Sequence, residues 1–296
     1  MEAVRGVMMI KEIRPGDVVA RRSYRGDILF RVEKIVKDNH QQSAQLRGFF
    51  VRLYASAPLH DLEKKTADEI VQMKSEFLKK KQSNIRQALN RHALTRKGSL
   101  YTGKKSGSGF FELPGKVLHL EGDRMYCDRC MKTYMRLAVP CQVVHIPERE
   151  QPDAVNKYLI DNRPDILVLT GHDAVKKGVQ DYRSMENYRN SKYFIDAVTY
   201  ARKFEANKDD LIIIAGGCQS HFEALIDAGA NFASAPERIM IDVLDPVFIA
   251  ERLAYASIYE KISLLDILEQ AEMGIRGIGG VQTRGKMRLG LPRPQY

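Results

Sequence analysis

No run of about 18 consecutive apolar residues, the length a membrane-spanning helix needs, occurs in this 296-residue chain. No membrane span is therefore expected. Met1–Ile10 carries Glu2 and Arg5 and offers too short an apolar stretch for a secretory leader. Cysteine is scarce at four residues, and Cys127 and Cys130 lie only three positions apart, which does not suit a disulfide framework. The expected setting is the reducing cytoplasm. A phosphate-cradling glycine motif is missing as well. No P-loop is present, no GxGxxG follows the first apolar strand, and Gly274-Ile-Arg-Gly-Ile-Gly-Gly280 follows a helical stretch instead. That excludes a dinucleotide site, and no cofactor is expected.

Metal ligation has only partial support in the sequence. Cys127-Asp-Arg-Cys130, Cys141, His119 and His145 are of zinc-binding types, but the CxxC falls in a helix-like stretch with no second CxxC or HxxxH. They read as packing residues, with no metal. The net charge of +10 is unevenly spread: residues 1–110 hold 23 Lys/Arg against 11 Asp/Glu, and residues 111–296 hold 24 against 26. A basic front attracts nucleic acid, acidic protein or an anionic surface without discrimination.

Residues 1–58 read as short strands forming a small SH3-like β-barrel. Pro15-Gly16-Asp17 is the turn signal, Ile28–Ile35 alternates in polarity, and Leu46–Tyr54 reads as a further strand. Residues 59–114 read as a basic helical connector, its apolar face made by Leu62, Ile70, Phe77, Ile85 and Leu89, followed by a flexible Gly/Ser/Lys linker over 95–114. Residues 115–273 alternate strands (Val117–Leu120, Cys141–Ile146, Ile166–Leu169, Leu211–Ala215) with helices, which implies a doubly wound three-layer α/β domain. Residues 274–296, rich in Gly, Lys and Arg, read as a mobile basic tail.

Two apolar runs of the third part each end in a reactive side chain: Asp165-Ile-Leu-Val-Leu-Thr-Gly-His172-Asp173 and Asp210-Leu-Ile-Ile-Ile-Ala-Gly-Gly-Cys218-Gln219-Ser220. Continuous apolar runs of this length suit buried parallel strands, and chemistry in open α/β sheets collects at their carboxyl ends. A thiolate is a nucleophile at neutral pH when an imidazole takes its proton. His172 and Cys218 are thus the candidate catalytic pair. Gly171, Gly217 and the Cys218 amide are the candidate oxyanion turn. His221, one helical turn past the cysteine, is the competing base.

The order of strand, histidine beside glycine, strand, small residue and cysteine resembles the caspase-like cysteine peptidases. Across nearly its full length the chain more closely resembles the YabG family of sporulation-specific proteases. That resemblance is carried by the front Pro-Gly-Asp-Val-Val segment, Gly115-Lys-Val-Leu-His-Leu-Glu-Gly-Asp123, Thr170-Gly-His-Asp173 and Gly216-Gly-Cys-Gln-Ser220. It implies a caspase-like catalytic domain that cuts spore coat proteins in the mother cell through His172 and Cys218. The caspase pattern places a glycine after the histidine, whereas here Gly171 precedes it and Asp173 follows.

Specificity for a basic residue before the cut is expected, with Asp173 and Asp242 as the candidate pocket acids and Glu237 and Asp245 as further carboxylates near the strand ends. Self-processing is expected at Arg96-Lys97 and Lys104-Lys105 in the linker and at Arg284, Lys286 and Arg288 in the tail. The alternative is a non-catalytic basic adaptor that binds nucleic acid or coat protein, and nucleic acid is the less favoured partner. The oligomeric state has no signature in the sequence.

Overall fold

The computed structural model describes residues 12–26, 28–38, 41–51, 53–101, 111–176, 178–268, 271 and 274–291. The chain divides into two compact units, 1–78 and 79–296.

The first unit holds β1 (Val18–Arg21), β2 (Leu29–Asp38), β3 (Gln41–Gly48), β4 (Tyr54–Pro58) and β5 (Leu62–Lys64), an antiparallel sheet of order β4-β3-β2-β1-β5. Alternate residues of these strands, Val19, Phe30, Val32, Ala44, Leu46 and Leu62, make its core. The run 46–54 expected as one strand is instead broken, with β3 ending at Gly48 and β4 opening at Tyr54. The polar half of β3 escapes a hydrophobic reading because only Ala44 and Leu46 turn inward.

Helix α1 (Ala67–Tyr101) runs into the stretch expected as flexible linker. Its start is a capping box. Thr66 N donates to Glu69 Oε2 at 2.8 Å and Glu69 N donates to Thr66 Oγ1 at 3.3 Å. The Thr66 backbone bond is the largest cause holding the Glu69 carboxyl down at about 2. Lys104-Lys105 lies outside the described residues.

In the second unit, β6 (Phe111–Leu113) precedes β7 (Val117–Glu121), α2 (Arg124–Arg136), β8 (Cys141–His145), α3 (Gln151–Asn162), β9 (Ile166–Thr170), α4 (Ser191–Phe204), β10 (Ile212–Ala215), α5 (Phe222–Asp227), β11 (Phe232–Ser234), α6 (Asp245–Tyr255), α7 (Leu264–Leu268), β12 (Ile278–Gly280) and β13 (Arg288–Gly290). Six of these strands form one sheet, β12-β11-β10-β9-β7-β8, with only the β12 edge antiparallel. Successive residues of a strand serve opposite faces. Ile166, Val168, Ile212 and Ile214 pack with Tyr126, Cys130 and Tyr134 of α2 and with α6, while Leu167, Leu169 and Ile213 pack with α3 and α4. Burial on both faces explains the unbroken apolar runs. The strand order reverses at β7, which opens a crevice between the ends of β7 and β9.

Residues 278–291 do not behave as a mobile tail. β12 pairs with β11, β13 pairs with β6, and Lys286 is 2% exposed, its ammonium donating to the carbonyls of Asp209 and Asp210. Glycine misled the composition argument, since Gly279 and Gly280 leave room for the rings of Phe222 and Phe232. Among the described residues no helix is long and apolar enough to cross a membrane.

Candidate active site

β9 and β10 are neighbours, with Leu169 opposite Ala215, so His172 and Cys218 each lie three residues beyond the same paired level. The two turns touch. Gly217 packs its bare α-carbon on the Gly171 carbonyl, where a side chain would collide, and Gly216 takes φ 109°, which only glycine adopts without strain. Gln219 is held at φ 57° immediately after the cysteine. A non-glycine residue in that region costs on the order of 1 kcal/mol. Its Oε1 accepts from Val175 N at 3.3 Å, a bond that stitches the strained turn to the loop beyond His172.

A buried carboxylate fastens the two turns further. Asp173 Oδ1 accepts from Ala174 N and Asn190 N, each at 2.8 Å, and Oδ2 accepts from the hydroxyls of Ser191 and Ser220, the latter at 2.9 Å. Ser220 Oγ in turn accepts from Gly217 N at 2.9 Å, so that amide of the expected oxyanion turn is already engaged. Burial is the largest influence on Asp173 and raises its pKa against the pull of those donors.

His172 is placed by acidic neighbours. Its backbone N donates to Glu148 Oε1 at 2.6 Å, its carbonyl accepts from Asn190 Nδ2 at 2.8 Å, and its Nε2 lies 3.3 Å from Asp123 Oδ2. Asp123 Oδ1 caps α2 through Met125 N at 2.8 Å, which orients the carboxylate. The Glu148 carboxylate covers the bare α-carbons of Gly122 and Gly171, inside the crevice where the strand order reverses. Burial, and then the charges of Glu121 and Asp123, push its pKa up although the His172 amide pulls it down.

Cys218 is 0% exposed and belongs to the apolar layer shared with α2 and α6. Its Sγ accepts from Ile241 N at 3.5 Å and lies 3.9 Å from the Ile241 carbonyl. Asp242, the next residue, pairs with Lys81 of α1 at 2.8 Å, both side chains almost wholly buried, and its Oδ1 also accepts from Leu244 N. Thus Asp173 and Asp242, the two acids singled out in the sequence, are both engaged by internal partners. Asp245 Oδ2 accepts from Asp242 N at 3.2 Å, and Glu237 pairs with Arg276 at 2.7 Å.

His221 has a structural post at the head of α5. Its Nδ1 accepts from Ala224 N at 3.4 Å and its Nε2 contacts the Arg183 carbonyl at 3.0 Å. Of the zinc-type residues, His119 and Cys130 come together with Glu121, all three fully buried and with ligand-type atoms within 4.8 Å of one another. Thr170 lies between two of them, its Oγ1 2.6 Å from His119 Nε2 and 2.7 Å from Glu121 Oε2, which is a hydrogen-bond chain in its own right. Burial holds the Cys141 thiol up at about 11 and raises that of Cys127.

A family model described as YabG peptidase U57 matches residues 14–292. The chain belongs to the YabG peptidase family. It is 38% identical over 281 residues, 94% of this chain and 97% of the other, to the sporulation-specific protease YabG of Bacillus subtilis strain 168. Peptidase activity and a role in sporulation follow for this YabG-family chain. Asp123, Glu148, Ser191 and Ser220 were not reached from sequence. Asp123 had a legible signal, an acidic residue after a strand and at the head of a helix, whereas Glu148 has none because its role depends on the approach of two distant turns.

Proposed function

We propose that the chain is a cysteine endopeptidase that processes spore coat proteins in the mother cell after basic residues, with Cys218 as nucleophile and His172 as proton carrier. The observation that carries the reading is the placement of both residues three positions beyond one paired level of adjacent parallel strands, on turns locked together by Asp173. The strand order, with five parallel strands and an antiparallel edge, supports a caspase-like catalytic fold. The five-stranded front unit is read as SH3-like.

In this mechanism Cys218 gives its proton to His172, and the thiolate forms a C–S bond with the peptide carbonyl carbon. The C–N bond then breaks as His172 returns the proton to the leaving amine. Water, deprotonated by the same imidazole, splits the thioester and restores the thiol. Asp123, 3.3 Å from Nε2, orients the ring and stabilises its cationic form. The Ile241 amide, 3.5 Å from the sulfur, fixes its position.

Preference for Arg or Lys is read from Glu148, whose carboxylate sits in the crevice beside His172, while Asp123, Asp173 and Asp242 keep their internal roles. A carboxylate takes a guanidinium in bidentate geometry and an ammonium only as a point charge, so Arg is the preferred residue. Incubation of purified protein with isolated coat proteins tests the reading. Cleavage after Arg or Lys that is lost on alkylation supports it, and binding without cleavage would instead establish the adaptor.

A further inference from the structure

An open cavity of about 960 Å³ lies over the carboxyl end of β10. One wall is the loop after β9, with Val175, Lys176, Tyr182 and Arg183, and the facing wall is the segment after β11, with Glu237 and Arg238. Its floor includes Gln219 and His221, so it begins one residue past Cys218. β9 and β11 flank β10 in the sheet, which is why loops from both overhang the nucleophile's turn.

The charges in this cavity do not cancel. Glu223 is held by Arg238 through both terminal guanidinium nitrogens, and Glu237 is held by Arg276. The bond to Arg238 is the largest cause lowering the Glu223 pKa, so that carboxylate stays ionised and committed. Lys176 and Arg183 are exposed and have no carboxylate partner among the described residues. Asp181 accepts the Arg183 amide, but it is not part of the wall. Among the described residues these two cations therefore have no carboxylate partner, and both line a groove that begins one residue past Cys218.

We propose that this cavity is a substrate subsite that takes an acidic side chain, Asp or Glu, from the chain flanking the scissile bond. The proposal rests on the cysteine-peptidase reading and adds a second element of specificity to it. The cavity begins one residue past Cys218 and extended peptide rises about 3.3 Å per residue, so the acid belongs at a position close to the cut. The walls suit a peptide in other respects, since Tyr182 and Val179 offer apolar surface between the polar groups.

The test uses fluorogenic peptides with Arg before the cut and Glu, Ala or Lys placed in turn at each of the flanking positions. Wild-type protein should cleave the best Glu peptide about fivefold faster in kcat/KM than its Ala counterpart, the effect expected of a partly exposed ion pair, and the Lys peptide more slowly. In the Lys176→Glu, Arg183→Glu double variant that order should reverse while the Ala peptide is cut as before. An order unchanged in the double variant would overturn the subsite. If wild-type protein cuts none of the peptides, the proposed cleavage after Arg is what fails. Fluorescence anisotropy of the same peptides with Cys218→Ala protein then decides the subsite separately: tighter binding of Glu peptides supports it, and equal binding rejects it.

Discussion

The carboxylate of Asp173 takes the hydroxyl of Ser220 at 2.9 Å, and this one bond ties the turn that carries His172 to the turn that carries Cys218. Replacing Asp173 by Ala leaves four donors without their acceptor in a buried place. Loss of stability of about 3 kcal/mol and a fall in kcat of about 100-fold are expected, because a shift of roughly 1 Å at a reacting pair has that effect. Asp173→Asn, of the same shape, should recover most of the kcat. Urea titration together with steady-state kinetics separates the two consequences, and an Asp173→Ala protein with unchanged kcat would contradict the positioning role.

Cys218→Ala should abolish peptidase activity with little loss of stability, and His172→Ala should cost nearly as much, by about 1,000-fold or more in kcat. His221→Ala should keep most of its activity, since that imidazole is occupied at the head of α5. Retention of a tenth of wild-type activity by Cys218→Ala at equal folded concentration would remove it from the mechanism.

Acidification should weaken the binding of basic substrates earlier than an ordinary glutamate, titrating near about 4.3, would allow. Glu148 must be ionised to hold a cation, and burial raises its pKa, so affinity is present above that raised value and lost as pH falls through it. The stability term has the opposite sense: the neutral, buried form favours folding at low pH, and that contribution is lost as pH rises through the same value. A plot of KM for an Arg peptide against pH checks this, with Glu148→Gln expected to flatten it. A step unchanged in Glu148→Gln assigns the titration to another group.

Thr170→Val should destabilise the protein by about 1–3 kcal/mol, because the hydroxyl joins His119 to Glu121 where no water reaches. Purified protein should contain no stoichiometric zinc, since that hydrogen-bond chain already uses two of the three clustered ligands. Elemental analysis finding one zinc per chain would reverse this assignment.

Proteolysis within the final strands should not occur in the folded protein. Lys286 is buried and Arg288 lies in β13, so mass spectrometry of active protein should find residues 284–288 intact. Cuts at those three basic residues would show that this edge opens.

The central strands were legible because burial on both faces writes them as unbroken apolar runs, as in Ile166–Thr170 and Ile212–Ala215. Phe232–Ser234 and Ile278–Gly280 were not, being three residues long and, in the second case, mostly glycine. The same contrast holds at the site. His172 and Cys218 could be placed from strand ends alone, whereas Glu148 and the roles of Ser191 and Ser220 depend on which turns meet. Asp173 and Asp242 attracted attention as pocket acids because sequence shows a carboxylate near a strand end without showing what already satisfies it.

The sulfur of Cys218 is sealed beneath the Ile241 segment, and that segment is pinned through Asp242 to Lys81. A thiol without contact with water is poorly placed to meet peroxide, so the step to sulfenic acid, and beyond it to irreversible sulfinic acid, is blocked while the seal holds. Removing one partner of an ion pair this deeply buried costs about 3–5 kcal/mol. The Lys81–Asp242 contact therefore bears on shelf life: a chain that keeps it holds the Cys218 thiol out of reach of an oxidant dissolved around it.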